Sequence, residues 1–152
     1  MTQPSHSPRT GHVGLNVTDL DRSLAFYQQV FGLELVAEGK EEDRRWAFLG
    51  RAGTLVVTLW QQSHGTFATA APGLHHLAFL VDSIEEVESA EQVLRGLGAD
   101  FQHEGVVAHR EGAGSGGIFF TDPDGIRLEI YAATGAEHAP APTGTAPTCG
   151  FF

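Results

Sequence analysis

The sequence predicts an α+β fold built from two copies of one βαβββ module. Three observations carry this. An alternating stretch, His12 to Val17, recurs as His76 to Val81 with the same parity, so that Val13, Leu15 and Val17 are echoed by Leu77, Phe79 and Val81. Each copy is followed by a capping signal and a stretch with helical spacing of apolar residues. Later, Phe48, Val57, Thr58 and Trp60 recur at one constant offset as Phe119, Leu128, Glu129 and Tyr131. Two such modules pair into a curved mixed sheet, with helices outside and a cavity inside. The aliphatic parity goes to the helices, and the opposite parity goes to the cavity.

The elements follow in order. Residues 1–9 read as a disordered leader without an apolar core, which is not the pattern of a signal peptide. Module 1 spans about 10–61. After its first strand, Thr18-Asp19-Leu20-Asp21 offers helix caps, Leu24, Phe26, Tyr27, Val30 and Phe31 fall at helical spacing, and Gly32 ends the helix. Strands are predicted over Leu33–Ala37, Arg44–Leu49 and Thr54–Trp60, with a turn at Arg51-Ala52-Gly53. The polar stretch from Gln61 to Pro72 is a connector. Module 2 spans about 73–132. Asp82-Ser83 caps a helix over Ile84–Leu97, and Gly98 breaks it. Strands follow over Gln102–Ala108, Gly116–Thr121 and Ile126–Tyr131. The last two flank Asp122-Pro123-Asp124-Gly125, in which Pro fixes φ, Asp bonds its own backbone and Gly supplies positive φ. Residues 133–152 form an irregular Ala/Pro/Thr/Gly tail, whose Phe151-Phe152 end is able to dock on the body or on a partner.

Composition narrows the function. The chain has 152 residues, is 41% hydrophobic and carries a formal net charge of −10, with Lys40 its only lysine. That balance argues against nucleic acid and against an anionic membrane surface as partners. No apolar run approaches the ~20 residues of a membrane helix. One cysteine, Cys149, excludes an intrachain disulfide and makes a reducing cytoplasm the default. With no base beside it, Cys149 reads as a bystander thiol.

The chemistry lies on the cavity parity. His12, His76 and Glu129 occupy strand positions there, and two imidazoles plus one carboxylate make the donor set of a facial metal site. The set suits one divalent ion: iron, manganese, nickel, zinc or cobalt. Three protein ligands leave positions for water, oxygen or a chelating substrate. Asn16, Thr58, Trp60, Arg127 and Tyr131 share that face and are the candidate substrate contacts. His75 has the opposite parity and is left out of the ligand set. His64, His103 and His109 read as solvated, with a general-base role open to one of them.

These residues resemble the vicinal oxygen chelate superfamily of glyoxalase I, extradiol dioxygenases, fosfomycin resistance enzymes, methylmalonyl-CoA epimerase and bleomycin resistance proteins. The resemblance rests on the run from His12 to Leu20 with Ser23, Phe26-Tyr27 and Phe31-Gly32-Leu33. It continues through Gly73 to Phe79 and Phe120 to Gly125, and on to Glu129. It covers about residues 10–132. It implies paired βαβββ modules, metal positions at His12, His76 and Glu129, and a homodimer that sometimes exchanges modules between chains. Departures separate the chain from the best-known members. Glyoxalase I has a Glu ligand, and the epimerases a Gln, where this chain has Thr58. Extradiol dioxygenases have a Tyr proton donor where it has Phe119, and fosfomycin enzymes a Thr where it has Gly14. Bleomycin-binding members lack the triad that this chain keeps. The expectation is a cytoplasmic, divalent-metal-dependent, glyoxalase-like lyase or isomerase. Its small substrate would chelate the metal through adjacent oxygens. The alternatives are an iron-dependent dioxygenase and a metal-independent resistance protein that binds a drug or natural product.

Overall fold

A computed structural model describes residues 6–152. The expected leader falls partly outside the described residues, and residues 6–12 carry no regular secondary structure. The chain divides into two compact units, one ending at His64 and the other running from Gly65 to Phe152.

The first unit contains β1 (Val13–Val17), α1 (Leu20–Phe31), β2 (Glu34–Glu41), β3 (Arg44–Arg51) and β4 (Thr54–Gln61). Its sheet has the order β1-β4-β3-β2, with β1 parallel to β4 and the other pairs antiparallel. The Asp19 carboxylate accepts from the Arg22 N–H at the start of α1, and Gly32 ends the helix in the left-handed region at φ 61°. The helix lays its apolar face on β3 and β4, burying Leu20, Tyr27, Leu49 and Leu59.

The second unit repeats the wiring with β5 (Leu77–Val81), α2 (Ile84–Gly96), β6 (Val107–Ala108), β7 (Gly116–Thr121) and β8 (Arg127–Ala132). Its order is β5-β8-β7-β6, with β5 parallel to β8. Helix α2, capped by the Ser83 hydroxyl, packs on β8, β7 and β5 and buries Val87 and Leu94. The α+β class and the twofold βαβββ plan are therefore those the sequence predicts. Hydrogen bonding defines two four-stranded sheets, one per module.

Two elements differ from expectation. The strand predicted over 102–108 shrinks to Val107–Ala108. Gln102 still donates to the Phe119 carbonyl and Phe101 bridges Phe120, but the chain then bends away, with Gly105 at φ 67°. The strand predicted over 33–37 instead runs on to Glu41, and the turn into β3 places Glu42 at φ 54°. The tail is irregular apart from a short 3-10 helix, Thr148–Phe151, yet it is packed. Ala136 and Thr148 are buried, and Pro140 accepts from the Ala108 N–H.

Candidate functional site

Glu129 is placed by the turn before it. One Asp122 carboxylate oxygen accepts from the Asp124 N–H at 2.8 Å and the Ile126 N–H at 2.9 Å, and Gly125 takes φ 83°. The chain leaves this turn with its register set. Leu128 and Ile130 are buried on the side of α2, and Glu129 lies on the other face, opposite Ala78 of β5 and Phe119 of β7. Glu129 is 2% exposed. A carboxylate so deprived of water needs partners, and it has two. His109 Nε2 lies 2.5 Å from Oε1, and His76 Nε2 lies 3.4 Å from Oε2.

Each imidazole is itself held. The Nδ1 atoms of His75 and His76 are 2.8 Å apart, so one ring donates to the other. Burial pulls the His76 pKa down; the Glu129 charge opposes this without reversing it. The ring is thus biased toward the neutral form, and its contact with Glu129 is not a full ion pair. Nδ1 of His109 pairs with the Ser115 hydroxyl at 2.9 Å, while its ring meets Tyr131 at 5.1 Å and Phe119 edge-on at 6.3 Å.

The tail closes over this cluster. Thr148 donates its N–H to the His109 carbonyl at 2.7 Å and its hydroxyl to the Ala108 carbonyl at 2.9 Å. Beyond that anchor, the Phe152 ring meets His76 at 5.8 Å and Phe119 at 5.5 Å. Arg127 lies 5.6 Å from the Phe152 ring centre and donates to its main-chain oxygen at 3.3 Å. Burial, reinforced by the Glu129 charge, pushes the Cys149 thiol up, which keeps it protonated and poorly nucleophilic.

In the first unit the predicted residues line one strand face. Gly14 pairs with Thr58 and Asn16 with Trp60. Thr58 is buried and accepts from the Trp60 indole at 2.9 Å. A Cβ at Gly14 would sit 3.2 Å from the Thr58 hydroxyl, so the bare backbone suits this close approach. Asn16 is exposed and accepts from the Gln62 amide at 3.2 Å. Trp46 and Phe48 join Trp60 in an aromatic cluster, with centroids 4.8–6.3 Å apart. His12 is exposed just ahead of β1.

The structure thus brings His76, Glu129, Arg127 and Tyr131 into one neighbourhood of the second unit. It adds His109, which the sequence reading treats as solvated and the structure places against the buried carboxylate. Strand parity could not find His109, because β6 is two residues long and the chain around it is irregular. Trp46 and Phe48 were findable, since they share the parity of Trp60 across the β3–β4 ladder.

The donor chemistry suits a divalent ion in part. A neutral imidazole and a buried carboxylate are the ligand types needed. Neighbouring donors about 2.1 Å from a common ion stand about 3 Å apart, close to the 3.4 Å between His76 Nε2 and Glu129 Oε2. No group of three or more His, Cys, Asp or Glu is gathered to hold an ion among the described residues.

Known proteins resemble this chain over most of its length. It is 28% identical over 135 residues to a catechol-2,3-dioxygenase of Bacillus subtilis, covering 87% of this chain and 44% of that one. It is 31% identical over 125 residues to the lactoylglutathione lyase GLX1 of Arabidopsis thaliana, covering 78% and 42%. The chain therefore spans less than half the length of these two relatives. Among solved structures, a glyoxylase/bleomycin resistance protein/dioxygenase domain from Frankia sp. EAN1pec superposes with TM-score 0.73 at 27% identity, covering 84% of this chain and 99% of that one. A mutant fosfomycin resistance protein FosX from Listeria monocytogenes, complexed with Mn(II) and a dihydroxypropylphosphonic acid, gives 0.66 at 26%, covering 85% and 95%. The sequence profile that matches residues 9–130 is described as Glyoxalase/Bleomycin resistance protein/Dioxygenase superfamily.

Proposed function

Because the chain belongs to the Glyoxalase/Bleomycin resistance protein/Dioxygenase superfamily, we propose that it is a divalent-metal-dependent enzyme of the glyoxalase-like lyase or isomerase type. Its substrate is a small molecule with two adjacent oxygens. The observation that carries this is the sealed Glu129 carboxylate with the His76 Nε2 facing it at 3.4 Å. His76 and Glu129 are two of the assigned ligands. The third is His12, assigned from the repeat and the family resemblance, in this chain or in a second copy. When bound, the ion would supply Lewis-acid polarisation of a substrate oxygen.

The protein's own residues do the rest. His109 holds Glu129 Oε1 and fixes the direction of its other oxygen. Arg127 offers guanidinium donors to an oxygen at its tip, and Tyr131 braces the His109 ring. Asn16, Thr58 and Trp60 are assigned substrate contacts from the first module. The protein is proposed to act as a cytoplasmic homodimer. No helix among the described residues is long and apolar enough to cross a membrane.

Elemental analysis of protein purified without added metal tests the reading. About one ion per chain is expected, lost in Glu129→Ala and His76→Ala. Iron in that position would favour the dioxygenase alternative, checked by oxygen consumption with catechols. No metal, and none taken up on reconstitution, would sink the enzyme reading. The Trp46, Phe48 and Trp60 cluster favours one second reading. That is a metal-independent protein sequestering an aromatic drug or natural product, and tight binding without turnover would mark it.

A further inference from the structure

Phe152 in the tail sits among groups that would serve as a ligand site. Phe151 is 57% exposed, whereas its neighbour Phe152 turns inward. The Phe152 ring takes three different contacts. The His76 ring is tilted 31° to it at 5.8 Å, Phe119 meets it edge-on at 73°, and the Arg127 guanidinium stands over it. The fourth contact is polar, because Arg127 Nη2 donates to the Phe152 main-chain oxygen at 3.3 Å. An imidazole, an aromatic ring at right angles and a cation together recognise an aromatic ring. The same guanidinium, through Nη2, recognises an oxygen acceptor. The residue filling this place thus displays an aromatic ring and a carbonyl oxygen a few bonds apart.

The attachment of this residue is local. The tail is pinned at Thr148 by two hydrogen bonds to the carbonyls of Ala108 and His109. Between that pin and Phe152 lie Cys149, Gly150 and Phe151, and the glycine has open space around it. Rotation of Phe152 out of the cluster would leave the Thr148 anchor in place.

We propose that Phe152 is an internal occupant of a subsite for an aromatic ring bearing a carbonyl or carboxylate oxygen, and that such a ligand enters by displacing it. This deepens the proposed function, because His76 belongs to both sites, and it names the substrate class as aryl-carbonyl or aryl-carboxylate. An internal occupant present nine-tenths of the time raises the apparent Kd of an entering ligand about tenfold. Removing the Phe152 ring removes that competition.

The test is calorimetric titration of chelator-treated, metal-free protein with N-acetylphenylalanine. Working without metal separates this proposal from the metal reading, because ring-and-oxygen recognition needs no ion. Phe152→Ala is expected to lower the apparent Kd by about tenfold relative to the unaltered chain. Thr148→Val, which loosens the anchor but keeps the ring, is expected to lower it by less. Arg127→Gln added to Phe152→Ala is expected to abolish the gain. The proposal is overturned if neither single variant binds more tightly than the unaltered chain. It is equally overturned if the gain survives loss of Arg127.

Discussion

A carboxylate sealed from water is only as well placed as the groups that hold it, and at Glu129 that work falls to His109. Removing the imidazole would leave Oε1 a buried acceptor without its partner, a cost of about 1–3 kcal/mol. It would also free the carboxylate to rotate. At the proposed metal site, His109→Ala is therefore expected to weaken binding of the ion by about 10- to 100-fold, read from competition with a metal indicator dye. Unchanged affinity would remove His109 from the site. His103 gives a second prediction of a different kind. Burial pushes its pKa below the usual 6.5, and its ring meets Phe119 edge-on. Between that lowered value and 6.5 the unfolded chain binds more protons than the native one, so stability falls as pH drops through 6.5 and below. His76 carries the same sign. Thermal unfolding at pH 5.5 and 7.5 should show a smaller difference for His103→Phe than for the unaltered chain, and an unchanged difference would count against a depressed pKa for this half-buried ring. Neither role was legible from sequence. A histidine in an irregular segment carries no parity, and only the packed chain shows which partner it meets.

At the scale of elements, the β7–turn–β8 hairpin was the most legible part of the chain, and its strands are almost wholly buried. The Asp-Pro-Asp-Gly signal gives the turn, the turn gives the register, and the register gives the face of Glu129. Asp122→Ala would delete two charge-assisted bonds to backbone N–H groups, a loss of about 3 kcal/mol. For a chain of this length that corresponds to a Tm lower by roughly 6–12 °C, measurable by calorimetry. Gly117 on β7 is as exacting. A Cβ there would lie 2.1 Å from the Ile130 carbonyl oxygen, a backbone atom that cannot step aside. Gly117→Ala is expected to destabilise by about 1–3 kcal/mol or to displace β7 from β8. Wild-type stability in this variant would show that the strands have more room. The sixth strand was the least legible element. The sequence predicts it over Gln102–Ala108, but Gly105 and the tail's claim on the Ala108 N–H leave a ladder of two residues. The tail carries one short 3-10 helix, and hydrogen bonds to Ala108 and His109 make it part of the unit.

At the scale of the molecule, the duplication was written in the sequence because both modules must solve the same packing problem, an aliphatic stripe against one helix. What the repeat could not convey is how far the two opposite faces have diverged. One carries an aromatic cluster around Thr58, and the other carries two imidazoles around Glu129. The stretch between β4 and β5, from Gln62 to Gly73, is largely exposed and without helix or strand. Limited digestion with a protease of broad specificity is expected to make its first internal cut there, and mass spectrometry of the fragments would show it. A first internal cut within either sheet would contradict that.

The parallel pairing of first and last strands also sets the order of events as the chain is made. Val13 finds its partner only at Val57, and Leu77 only at Leu128. On the ribosome, β1 and α1 emerge long before β4 is available. The apolar side of each half-built module then stays uncovered until its final strand clears the exit tunnel. Such long-range closures are slow relative to hairpins. The interval in which a nascent chain of this design can be trapped by a neighbour, or sheltered by a chaperone, therefore comes twice during each round of synthesis.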